Sequence, residues 1–215
     1  MEVTWYGHSC FRITERNMAT IVTDPYDHQA IGYSELKLKA DIVTVSHDAP
    51  GHNFVKAVKG AKWNITGAGE YEIGGVFLTA VSTGKGNNKN GHKNMAFVCD
   101  YDGVNLAHLG AIKSVPSRKE VESFGNVDIL LIPVGGGSGI SAAKAAEVVN
   151  LIEPGIVVPM HYSTPDSSVE LSSLDAFLKQ MGLGKKFEEQ ESLKVSKRDI
   201  PEETRVTVLS YKSPA

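Results

Sequence analysis

The chain reads as a mixed α/β domain, a fold class that three features of its 215 residues predict. The first half is a series of short β-branched or aromatic runs, cut by glycine, proline and asparagine, which is the pattern of a sheet with short turns. The second half alternates apolar runs with stretches whose apolar residues recur at helical spacing. With 41% hydrophobic residues, a chain of this length can bury one substantial core, so a single domain over residues 1–215 is expected.

In chain order, residues 3–6, 11–14, 20–23 and 42–46 are expected strands, separated by turns at Gly7-His8, Arg16-Asn17 and Pro25. A short helix is expected at 54–58, then strands at 63–65, 71–73 and 76–81. The run from Gly84 to Gly91 is too polar and glycine-rich for regular structure and reads as a mobile loop. Strands at 95–100 and 104–108, a helix at 117–124 and a strand at 129–134 follow. Ala145, Val148, Val149 and Ile152 share one face of a helix over 141–152, with Ser141 in the capping position. A strand at 155–159 delivers His161. Leu171, Leu174, Phe177, Leu178 and Met181 form a further apolar stripe of core-packing character, and a strand at 205–211 closes the chain.

Bulk properties exclude some functions. A net charge of −3 and a pI near 6.2 argue against a nonspecific nucleic-acid footprint, which needs a strongly basic face. No 18-residue apolar stretch and no basic-then-apolar leader are present, so no membrane association and a cytoplasmic location are expected. Cys10 and Cys99 are then expected to be reduced, half-buried residues.

The most informative segment is Val45-Ser-His-Asp-Ala-Pro-Gly-His52, placed directly after an expected buried strand that would hold any ligand rigidly. Taken with Trp5-Tyr-Gly-His-Ser-Cys-Phe11, Thr23-Asp-Pro-Tyr26, Gly69-Glu-Tyr-Glu-Ile73, His108-Leu-Gly110, Asp128-Ile-Leu-Leu-Ile-Pro-Val-Gly-Gly136 and Val158-Pro-Met-His-Tyr162, it resembles the metallo-β-lactamase superfamily. The likeness is to its small metal-dependent hydrolases, the branch that includes L-ascorbate-6-phosphate lactonase relatives, and it covers nearly the whole chain. The resemblance implies a four-layer αβ/βα sandwich with its site at the edge between two sheets.

It also implies a site with parts missing. The superfamily pattern His-x-His-x-Asp-His falls here on His47, Ala49, Gly51 and His52. The first metal of the family keeps only His47, since Ala49 replaces one histidine and Lys85 stands where a later one is expected. The second keeps His52 and His161 but has Gly51 for its aspartate, and Ala111 stands where the bridging aspartate is expected. His47, His52 and His161 are therefore the residual ligands. Asp48, Asp24, His8, His108, His92 and Glu70 are the candidates for recruitment or support, Asp24 resembling a carboxylate that orients a ligating histidine. His28 reads as an ordinary loop residue.

Catalytic zinc needs three protein ligands and an open position. The expected function is accordingly a hydrolase-fold pseudoenzyme or binder of a small anionic molecule, with no metal or one weakly bound divalent ion, zinc being the metal expected. Lys85 would restore the single positive charge lost with two metals, their carboxylates and a hydroxide. The alternative is a metal-dependent hydrolase with a rebuilt mononuclear site, acting on an ester, lactone or phosphoester. A metal-free enzyme, with His47 or His161 as base and Lys85 as oxyanion stabiliser, ranks last. Gly135-Gly-Gly-Ser-Gly139 reads as a strand-to-helix turn able to face an anion, without the Gly-Lys-Ser/Thr of a phosphate-binding loop.

Overall fold

The computed structural model describes residues 1–84, 93–184 and 187–213. Its first sheet has six strands in the spatial order Leu193–Lys194, Glu2–Trp5, Phe11–Thr14, Ile21–Thr23, Ile42–Thr44 and Trp63–Ile65. Pairing is antiparallel from Leu193–Lys194 through Ile21–Thr23 and parallel from there to Trp63–Ile65. The second sheet has seven, in the order Arg205–Val206, Ile156–Met160, Ile129–Pro133, Val104–His108, Asn94–Tyr101, Val76–Thr83 and Gly69–Ile73. Its first four strands are parallel and the remainder antiparallel.

Side-chain alternation explains how the sheets stack. Ile21 and Ile42 point into a core shared with Leu78, Phe97, Leu106 and Leu131 of the second sheet, whereas Val22 and Val43, one residue on, join a separate cluster on the outer face. Every residue of Ile129–Pro133 and Ile156–Met160 is buried, as a parallel strand covered on both faces requires. Phe124, Ala145, Val148, Val149 and Phe177 bring the helices Arg118–Phe124, Ala142–Ile152 and Leu174–Gln180 onto the same core. The sandwich is thus the mixed α/β arrangement expected. Its outer layer on the first sheet is thin, made from the four-residue helix His28–Ile31, a 3₁₀ turn at Val55–Ala57 and a small ladder of Leu38–Lys39 with Val58–Lys59.

Some local expectations change. The helix expected at 54–58 is that single 3₁₀ turn, because Val58 already extends into the ladder. Arg118–Phe124 starts with a reciprocal capping box between Ser117 and Glu120, but Ser141, although it precedes Ala142–Ile152, makes no side-chain capping bond. The expected closing strand divides at Thr207: Arg205–Val206 extends the second sheet while Val208–Leu209 pairs with Glu189–Gln190. The buried Thr207 N–H donates to Val157 O at 2.8 Å across the switch. Cys10 and Cys99 are both buried free thiols. No helix among the described residues is long and apolar enough to cross a membrane.

Candidate metal centre

Four strands end at one edge of the sandwich and each delivers a polar residue there. Ile21–Thr23 leads to Asp24, Ile42–Thr44 to Ser46 and His47, Ile156–Met160 to His161, and Val104–His108 ends on His108. The carboxyl ends of parallel strands are where open α/β sheets place ligands, since the diverging chain leaves a crevice there. His8 arrives differently, in the turn between the antiparallel Glu2–Trp5 and Phe11–Thr14.

The structure gathers His8, His52 and His161. Each offers one ring nitrogen within 4.8 Å of the others, and all three are buried. The His8 ring lies 4.2 Å from that of His161 and 4.9 Å from that of His52, centroid to centroid. Backbone contacts lock the group together: His161 N–H and Trp5 Nε1–H both donate to His8 O, at 3.0 and 3.2 Å. Gly135 N–H donates to His161 O, an approach so close that a Cβ at Gly135 would stand 2.4 Å from that oxygen.

His8, Asp24 and His161 all have positive φ, at 51°, 38° and 54°. Non-glycine residues held there cost on the order of 1–3 kcal/mol each and persist where the surrounding structure overrides the preference, commonly at functional sites.

Asp24 orients the cluster from below. Its Oδ1 accepts from Ser46 N–H at 2.7 Å, and its Oδ2 accepts from Ser46 Oγ–H at 2.6 Å and from His52 Nδ1–H at 2.8 Å. The last bond leaves His52 Nε2 to face the other histidines with its lone pair. Burial pushes the Asp24 pKa up, but the pull of His52, His108 and the Ser46 hydroxyl outweighs it, so the carboxyl stays below its ordinary value. His108 is committed elsewhere: its Nε2–H donates to Ser9 O at 3.0 Å and its Nδ1 accepts from Gly110 N–H at 3.3 Å.

The remaining sequence candidates separate from the triad. His47 is half-buried and outside it, although its ring lies 4.1 Å from that of His52 and its Nδ1 is 3.0 Å from Ser46 Oγ. Asp48 is exposed and accepts from the Asn53 amide, and Glu70 is exposed on Gly69–Ile73. Lys85 and His92 lie outside the described residues. At the position of the bridging aspartate, Ala111 N–H donates to Asn94 Oδ1 at 2.8 Å, and Asn94 Nδ2 reaches Leu109 O at 2.9 Å. An asparagine amide stabilises the turn there.

Gly51 explains what His8 does. A Cβ at Gly51 would stand 2.8 Å from His8 Nε2 and 3.2 Å from His8 Cδ2. The volume in which an aspartate side chain would begin is filled by the imidazole of His8. Sequence reading placed His8 among the supporting residues, and the only sequence signal for a larger role was a glycine where a carboxylate was expected.

The donor chemistry fits a divalent cation. Burial, then the neighbouring His161, His52 and His47, lowers the His8 pKa well below its ordinary value. Burial and then His52 lower that of His161 to about 3. Both rings are therefore neutral near pH 7, the form that ligates, and a pKa of about 3 makes His161 a poor general base. His8 Nδ1 and His161 Nδ1 are buried with no hydrogen-bond partner, each a cost of about 1–3 kcal/mol if nothing else meets it. His161 Nε2 lies 3.2 Å from Ser138 Oγ in the glycine-rich turn.

Fold and site define a β-lactamase superfamily domain, whose family model matches residues 2–161. The chain belongs to that superfamily and, within it, to the UPF0173 family. A UPF0173 protein of Pyrococcus abyssi is 31% identical over 191 residues, spanning 76% of this chain and 84% of its own. A relative from Thermoplasma acidophilum, named a UPF0173 metal-dependent hydrolase, is 24% identical over 193 residues, spanning 77% and 85%. Among solved structures, a Thermotoga maritima protein named as a candidate Zn-dependent hydrolase of the metallo-β-lactamase superfamily superposes with a TM-score of 0.76 at 33% identity, over 97% of both chains.

Proposed function

We propose that the protein is a metal-dependent hydrolase that uses one divalent ion, held by His8, His52 and His161, to cleave an ester, lactone or phosphoester. The observation that carries this reading is the substitution in space: the imidazole of His8 fills the volume next to Gly51 where the signature aspartate is missing. Three histidine nitrogens within 4.8 Å of one another are a donor set that catalytic zinc uses. A divalent ion bound there would polarise the scissile group and lower the pKa of a water to about 7.

The chain's own residues set the stage. Asp24 fixes the His52 tautomer through its 2.8 Å bond, and Ser46 clamps Asp24 with two donors. The shared His8 carbonyl holds the amino-terminal turn against His161, keeping ligands from distant parts of the chain in register. Near-complete burial of all three rings limits competing water.

The test is metal content after purification without chelator, followed by titration of stripped protein with zinc, manganese and ferrous iron. One equivalent is expected, with His8→Ala reducing zinc affinity by about two orders of magnitude. Absence of binding at millimolar metal would return the protein to a non-catalytic binding role.

A further inference from the structure

A cavity of about 600 Å³ opens beside the signature segment. Val45, Val55, Ala68 and Met95 give it hydrocarbon walls drawn from both sheets, which are tied together there by the 2.8 Å bond from Met95 N–H to Ser46 O. His47 stands on the side from which its ring meets that of His52, at 4.1 Å between centroids. The cavity is thus one imidazole away from the proposed metal site, and its volume falls in the range of about 300–1,000 Å³ that small-molecule sites occupy.

Charge does not choose the occupant. Among the described lining residues Asp48 is the one carboxylate and Lys93 the one ammonium, so their formal charges cancel, and both residues are exposed. Exposed charges are screened by water and salt and add little to a pairing. The walls decide instead. Val45 and Met95 are buried hydrocarbon. A charged group set against them gives up its hydration without gaining a partner, whereas an uncharged chain or ring gains by leaving water.

Resting on the hydrolase reading for its chemistry, we propose that this cavity receives the uncharged, apolar part of an ester or lactone substrate, an alkyl chain or an aromatic ring. That group packs against Val45, Val55 and Met95, and the scissile carbonyl lies past His47, toward His52. A carboxylate, phosphate or ammonium on that part of the substrate is selected against, whatever its sign.

1-Octanol serves as the probe, titrated into chelator-stripped protein carrying ¹³C-methyl methionine, with octanoate and octylammonium as controls of equal chain length. The chain has five methionines. Only the Met95 methyl, assigned through Met95→Leu, is expected to shift saturably with octanol, and both ions should bind more weakly by about tenfold or more. Ala68→Glu, a change at an exposed position outside the metal site, adds a carboxylate to the walls and should weaken octanol by about tenfold. Lys93→Gln and Asp48→Asn should each leave octanol within about twofold. No saturable shift at Met95, either ion binding as tightly as octanol, indifference to Ala68→Glu, or a larger change in either rim variant would each overturn the assignment. Repeating the titration with zinc added separates the two readings. A protein that binds octanol but never zinc keeps the cavity and loses the metal site, and one that binds zinc but not octanol does the reverse.

Discussion

Adding back the carbon that Gly51 lacks perturbs the proposed metal site without replacing a ligand. Gly51 is buried, and the Cβ of Gly51→Ala would lie 2.8 Å from His8 Nε2, closer than Cβ atoms approach in folded proteins. Overpacking of this kind costs about 1–3 kcal/mol, relieved here by swinging the His8 ring away. A four-ligand structural zinc site is worth about 10–16 kcal/mol, so one ligand carries roughly 3–4 kcal/mol, or two to three orders of magnitude in affinity. Gly51→Ala should therefore weaken zinc by about 100-fold, an effect comparable to that of His8→Ala.

The reciprocal change completes the cycle. Gly51→Asp alone should lose affinity as Gly51→Ala does, because His8 occupies the volume the carboxylate needs. Combined with His8→Ala, the new aspartate has room, and the resulting Asp-His-His set should bind zinc at least tenfold more tightly than His8→Ala alone. Competition against a chromophoric chelator measures all four proteins, and the non-additivity of the pair isolates the exchange of one ligand for the other. Wild-type zinc affinity in Gly51→Ala and His8→Ala would refute the assignment of His8 as a ligand. A double variant no better than His8→Ala would show that position 51 no longer faces the site.

Two further outcomes follow from the burial of the ring cluster. His8 and His161 titrate below 6.5 when folded and near 6.5 when unfolded, so below pH 6.5 the unfolded chain takes up protons that the folded one refuses. Stripped protein should lose about 2–4 kcal/mol between pH 7 and pH 5, read from urea midpoints, whereas Asp24, with its folded pKa lowered, withdraws its contribution only as the pH drops below about 4. An unchanged midpoint at pH 5 would show that the rings are not buried as neutral groups. Asp24→Asn leaves one acceptor oxygen for the three donors that now converge on the carboxylate, so zinc affinity should fall by about 10–100-fold with a lower melting temperature. A change under threefold would mean that His52 holds its tautomer without Asp24.

What could be read in the sequence is what periodicity and strand ends carry. The run ahead of His47 and the run ahead of His161 are strands, as their continuous apolar character suggested, and their ends meet at one edge, as the family resemblance implied. The break at Thr207 was invisible because Val206, Thr207 and Val208 form an unbroken β-branched run, and only the two different partners show that the chain changes sheets. Similarly, a short helix was expected over 54–58, yet two β-branched valines weaken it and pairing of Val58 with Leu38 stops the turn after three residues. His8 was the most instructive displacement. Ligand patterns record side chains that are present, whereas the position of His8 depends on one that is absent 43 residues later, a steric relation that no spacing rule expresses.

Exchanging an aspartate for a histidine also bears on what the pocket attracts. In the dinuclear arrangement that the family resemblance implies, two divalent cations, two carboxylates and a hydroxide sum to one positive charge. A single divalent cation among three neutral imidazoles carries two, and the buried Asp24 carboxylate is common to both arrangements. With a hydroxide bound, the proposed one-metal centre would also carry one positive charge, so it would present an anionic substrate with the same net charge as the two-metal arrangement while holding fewer metals.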